Sequence, residues 1–208
     1  MSFQPLFEEL AIGGINPLLI FSFLMAERTY DIQSFFIISG FFGVKFAFLN
    51  AYIIFAALVI TTGFIRHDKA VIASRPGNML NHFWIRQLKL LFIIATGITT
   101  AAFLRHLIPP QLIGQISSSS PGGVLVALVL GTVMYFGPII GNYPVAKALS
   151  DLGMSETGVM AFLSISPVLN IVIISLFSSV VGFKLVGKAI GIYTLSALLM
   201  LFLVSPLL

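Results

Sequence analysis

The sequence contains no cysteine, which excludes disulfides, iron–sulfur clusters and any thiolate metal site. Charge is almost as scarce. Only 9% of its 208 residues are Asp, Glu, Lys or Arg, against about 25% in a soluble domain. His67, His82 and His106 stand near the ends of apolar runs, with no i,i+4 pair and no carboxylate at metal spacing. No zinc or haem site is expected from them, and no cofactor. Nucleotide-binding glycine loops are missing, as is any nucleophile–histidine–acid set, so no enzyme activity is expected. A basic leader is lacking too: Glu8 and Glu9 stand where one would begin, so a cleavable signal peptide is not expected.

What is there is apolar. Hydrophobic residues make up 58% of the chain and the mean hydropathy is +1.08, the composition of an integral membrane protein. The net charge of +4 lies beside apolar runs, where the positive-inside rule accounts for it, and it implies no nucleic acid. Residues 66–89 hold Arg66, Lys69, Arg75, Arg86 and Lys89 against the single acidic Asp68. This loop is expected on the cytoplasmic side, with Trp84 as an interfacial anchor.

Glycine and proline set the expected elements. Residues 1–24 are broken at Gly13-Gly14 and Pro17, which predicts two short helices in place of one span of ~20 residues. A helix ending near Gly43 and a span over 46–65 follow the charged stretch 25–34. Spans are expected over 90–107, 123–140, 158–181 and 185–205, with a short hairpin at 142–155. From Gly137 to Lys188 the apolar sequence is interrupted repeatedly by Gly, Pro and Asn. Lipid cannot satisfy freed backbone groups, so such breaks need protein or a wet cavity around them.

Shifting the sequence by 139 residues, without gaps, lays Pro5–Leu24 over Pro144–Leu163. Identities include Pro5/Pro144, Gly14/Gly153, Ile32/Ile171, Ser39/Ser178, Gly43/Gly182 and Lys45/Lys184. An internal duplication is the expectation. Whether the halves are parallel or inverted turns on whether the 142–155 hairpin crosses the bilayer.

The quoted stretches resemble the predicted-permease family that includes organoarsenical efflux permeases. The likeness is carried by LIPPQLIG (107–114), the Gly-rich span 122–137, PVAKALSDLGM (144–154), AFLSISPVLN (161–170) and the Gly-Phe-Lys of 182–184. It implies a two-repeat membrane permease. Soft-substrate members often have cysteines before the proline; here Gly141, Asn142 and Tyr143 stand there, so a thiolate-bound arsenic substrate does not carry over. A counterpart of 88–141 is missing from the first half, which implies a shortened member, completed by a second copy or a partner membrane subunit.

Candidate site residues come from both halves. Glu27 and Asp31, four apart on a helix face, flank Arg28, and these positions match Ser166, Pro167 and Asn170 in the shifted register. Ionisable groups at membrane depth are costly and mark ion or proton sites; a surface loop is the alternative. Pro167 frees a backbone carbonyl for Ser164, Ser166, Asn170 or a ligand, or is an ordinary packed kink. Asn142, Tyr143 and Pro144 open a short helix whose N-terminus suits an anion, with Lys147 one turn on; a surface turn is the alternative. Asp151, Glu156, Lys45 and Lys184 are expected at the interface.

The resulting expectation is an all-α integral membrane protein, a polytopic bundle of about six to seven spans with one or two short re-entrant helices in two related repeats. Its parts are a first repeat over 1–65, the basic loop 66–89 and a second repeat over 90–208. The expected function is a secondary transporter for a small polar or ionic solute. The alternative is a non-transporting structural subunit of a larger membrane complex.

Overall fold

The computed structural model describes residues 22, 25–26, 29–65, 115–133 and 141–208. The expectations for the breaks within 1–24, the loop 66–89, the span 90–107, Glu27 and Arg28 lie outside these residues. The described chain is helical throughout, with no strand: α1 Ile32–Phe42, α2 Val44–Ile65, α3 Ser120–Val133, α4 Asn142–Asp151, α5 Glu156–Ile165, α6 Ile171–Val181 and α7 Phe183–Val204, closed by a 3₁₀ turn Ser205–Leu207.

Among the described residues two helices are long and apolar enough to cross a membrane, α2 and α7 with its 3₁₀ extension. Their 22 residues each give about 33 Å at 1.5 Å per residue, enough for a hydrocarbon core of ~30 Å. The two pack along one another. Each is preceded by an 11-residue helix and a glycine. At Gly43 the backbone takes φ 92 and ψ 158, and at Gly182 φ 90 and ψ 145, a region open essentially to glycine alone. This turns the chain sharply: Phe35 and Phe48 come ring to ring at 5.0 Å, whereas 13 residues of unbroken helix would hold them about 20 Å apart.

α6, Gly182 and α7 begin and end 139 residues after α1, Gly43 and α2, the same shift that aligns the sequence. Their inward faces correspond as well. Phe46, Ala47, Asn50, Ile54, Ala57 and Ile65 are buried on α2, and so are Leu185, Val186, Ala189, Tyr193, Ser196 and Val204 on α7.

α5 is the centre. Every residue from Thr157 to Ile165 is buried, as expected of a helix apolar all round. α3 runs parallel to it. Ser155 N donates to Ser117 O at 2.9 Å at one end, and at the other a Cβ added to Gly131 would stand 2.7 Å from Ser166 Cβ. Between them Gly158 meets Gly123, where an added Cβ would be 2.7 Å from its Cα. Small residues let these backbones approach closely, as in membrane helix pairs. α4 then starts beside Ser166 and ends in the turn that opens α5, where Gly153 has φ 91 and Ser155 caps by accepting from Gly158 N at 3.2 Å.

α4 begins with Asn142 beside Ser166, which also meets Gly131 near the end of α3; of the expected span 123–140 only the part to Val133 lies within the described residues. The expected span 158–181 is divided into α5 and α6 by the turn at 166–170. α1 starts at Ile32, earlier than the apolar run suggests, because Asp31 caps it.

Gly43 and Gly182 have open space around them, so only backbone conformation opposes a side chain there. Gly43→Ala and Gly182→Ala should each cost about 1–3 kcal/mol. Gly187→Ala, inside α7 and equally unobstructed, should cost nothing. Thermal unfolding in detergent measures the contrast.

Candidate functional site

Two helix starts interrupt the apolar interior, and both are capped by the residue at the same position of the shifted register. Asp31 caps α1, its Oδ1 accepting from Ser34 N at 2.7 Å and from the Ser34 hydroxyl. Asn170 caps α6, its Oδ1 accepting from Val172 N at 2.9 Å while Nδ2 donates to Gly131 O at 3.3 Å. Both caps satisfy backbone N–H groups that a helix start leaves unpaired. The carbonyl of Ile165, the last residue of α5, accepts from Val168 N at 3.1 Å and Leu169 N at 2.9 Å in the turn.

The first turn of α4 bridges the two interruptions. Asn142 Nδ2 reaches Ser166 Oγ at 3.5 Å, in the turn between α5 and α6. Tyr143 donates its hydroxyl to Ser34 Oγ, in the cap of α1. α4 can do this because Asn142, Tyr143, Ala146 and Leu149 form its buried stripe, at the spacing of one helix face. Thus Asp31, Asn142, Tyr143, Ser166 and Asn170, drawn from three segments of sequence, surround one region, with Pro167 buried in the turn.

Pro144 is not brought in. It lies exposed in the first turn of α4, where its missing N–H costs nothing. Lys147 faces outward and pairs with Asp151 at 2.6 Å. The expectation that it adds positive charge at the α4 N-terminus is corrected by that pairing, an ordinary i,i+4 contact on an exposed face. Glu156, Lys45 and Lys184 are exposed, as an interfacial position requires.

Three participants were not foreseen from sequence. Asn50, wholly buried on α2, donates to Ser164 Oγ at 2.9 Å and lies 3.5 Å from Met160 Sδ. Tyr193 on α7 donates to Ser164 O at 2.8 Å. One residue of α5 is thereby held from both long helices. Tyr30 Oη, next to Asp31, contacts Ala47 O at 3.4 Å, one turn before Asn50. An asparagine inside an otherwise apolar span is the one sequence signal that marks this group. Among the described residues there is no cluster of His, Cys, Asp and Glu able to hold a metal ion.

Short helices that start inside an apolar bundle, with polar side chains gathered at the starts, are the architecture of membrane transport proteins. The chain belongs to the predicted-permease family, whose sequence profile matches residues 74–205. It is 31% identical over 105 residues to UPF0718 protein MJ0584 of Methanocaldococcus jannaschii, a match covering 48% of this chain and 28% of that relative. The chain thus spans less than a third of that relative's length. No solved structure matches it. The family is one of predicted permeases, which suggests a membrane transporter.

Asn170→Ala removes both the cap and the tie to Gly131, and should lower stability by about 1–3 kcal/mol. Asn170→Asp keeps the cap acceptor and should cost less. Equal losses, measured by thermal unfolding in detergent, would show that the Asn170 cap contributes nothing.

Proposed function

We propose that this protein is a secondary transporter for a small polar or ionic solute, its site lying where the interruptions of two related repeats meet at the start of α4. The observation that carries this reading is the bridge from Asn142 to Ser166 and from Tyr143 to Ser34. It joins one interruption from each half of the chain. Asp31 is the carboxylate of that region, and Glu27 and Arg28, four and three residues before it, complete the proposed ion or proton site. Asn142, Tyr143, Ser166, Pro167 and Asn170 form the solute side.

The repeats are read as inverted. α1 runs from Asp31 to Gly43 and α2 folds back, so Asn50 lies on the Gly43 side of the first interruption. It meets Met160 and Ser164, which lie on the side of the second interruption away from Gly182. The Gly43 and Gly182 turns then point toward opposite membrane faces. Movement of one repeat against the other would open the site to each side in turn. Six to seven spans, a cytoplasmic 66–89 loop, and a second copy or partner subunit completing the first repeat belong to the same proposal.

Proteoliposomes assayed for counterflow over a panel of small polar and ionic solutes test the transport reading. Saturable uptake is expected, and Asp31→Asn should reduce it at least tenfold while leaving the fold intact, since Asn caps a helix as well as Asp. Full activity in Asp31→Asn, Glu27→Gln and Asn170→Ala together would remove the site from this region. Absence of uptake of any solute, with stoichiometric partner proteins co-purifying, would favour the structural-subunit reading.

A further inference from the structure

Asn50 has a feature that helix packing does not explain. Its Nδ2 is engaged by Ser164 Oγ and Met160 Sδ, yet its Oδ1, in a side chain with 0% exposure, has no hydrogen-bond partner among the described residues. Turning the amide over would only move the problem, leaving an N–H₂ donor in the same place. A buried carbonyl oxygen without a partner is costly, and an apolar residue at this position of α2 would avoid the cost altogether. In shifted register the corresponding residue of α7 is Ala189, fully buried and apolar. The asparagine is therefore not a requirement of the fold.

Its surroundings say what it would accept. Asn50 spans the contact between the two halves, from α2 to α5. The adjoining polar groups are Ser164, Tyr30 and, beyond Tyr30, the cap formed by Asp31 and Ser34. Acceptor capacity is present throughout: an amide oxygen, a carboxylate and a thioether, with hydroxyls that accept as well as donate. The one lysine near the α4 start, Lys147, points outward and is neutralised by Asp151. Arg28, placed with Glu27 and Asp31 in the proposed ion site, is outnumbered by those two carboxylates, and the described residues of this region add no further positive charge for an oxyanion. A solute rich in N–H or O–H groups would meet acceptors at every turn.

We propose that Asn50 Oδ1 receives a hydrogen bond from the transported solute, and that the site takes solutes bearing N–H or O–H donors, such as protonated amines, guanidinium compounds and polyols, and rejects oxyanions. This rests on the transport reading above and names the substrate class for it. The contact of Asn50 with Ser164 is also one that movement of the repeats would open, so recognition and release would share one residue.

The test uses the full chain in detergent and in proteoliposomes, with methylammonium, guanidinium, glycerol, inorganic phosphate and sulfate as probes. Thermal stabilisation and counterflow are read for wild type, Asn50→Leu, which has the same branching and number of side-chain heavy atoms but no acceptor, and Asn50→Asp. Wild type should bind and exchange at least one of the first three probes and neither anion. Asn50→Leu should weaken that binding about tenfold or more, and Asn50→Asp should retain or strengthen the cations. Asn50→Asp also serves as the check should Asn50→Leu fail to fold. Binding of phosphate or sulfate, undiminished in both variants, would overturn the donor assignment and leave the transport reading standing. An Asn50→Leu protein that gains stability and binds the donor probes as wild type does would mark Oδ1 as a water site only, again overturning it. No binding and no exchange of any probe by wild type, or of any solute in the wider panel, would overturn both.

Discussion

A backbone that leaves its helix inside a bilayer must find hydrogen-bond partners within the protein, because hydrocarbon offers none. The turn at 166–170 leaves its helix in the buried interior of the protein, and much of the structure can be traced to closing it. Val168 and Leu169 take up the Ile165 carbonyl, and Asn170 serves the start of α6. Gly131 brings α3 close enough for its own carbonyl to receive the Asn170 amide. A larger residue at Gly131 would collide with Ser166 and hold the helices apart. Gly123 and Gly158 keep the same spacing at the other end, so one geometric need dictates small residues along the whole contact.

The first half meets the same constraint at Asp31 with different chemistry. A carboxylate there caps α1 and is joined through Ser34 to Tyr143. Asp and Asn are comparable as caps, so the fold alone does not choose between them. The choice of a charged residue in one half and a neutral one in the other is where the halves differ in chemistry while agreeing in shape. That asymmetry is the ground for assigning the ion to Asp31 and the solute to the second interruption. Asn50 and Ala189 form a second such pair. In both, the polar or charged member comes from the first half.

Much of the fold was legible because glycine and proline act locally. Gly43 and Gly182 mark the turns ahead of the two long helices, whereas the expected 142–155 hairpin is a single helix, α4, followed by a turn at Gly153, and the expected span 158–181 is divided at Pro167. The start of α1 was misread because Asp31 in a charged stretch looks like loop until its capping of Ser34 is seen. Lys147 was open to a better reading, since Asp151 stands at i+4. Asn50 and Tyr193 were not legible as site residues: their partner Ser164 lies 114 and 29 residues away, and no local pattern encodes that meeting.

The central claim is that two inverted repeats share one site, and the sidedness of two equivalent lysines tests it most directly. The natural chain has no cysteine, so Lys45→Cys and Lys184→Cys can each serve as the sole thiol. Both positions are exposed and follow the glycine turns. A membrane-impermeant thiol reagent applied to cells and to inside-out vesicles should label the two from opposite faces. Labelling of both from the same face would make the repeats parallel and contradict the shared, alternately opened site.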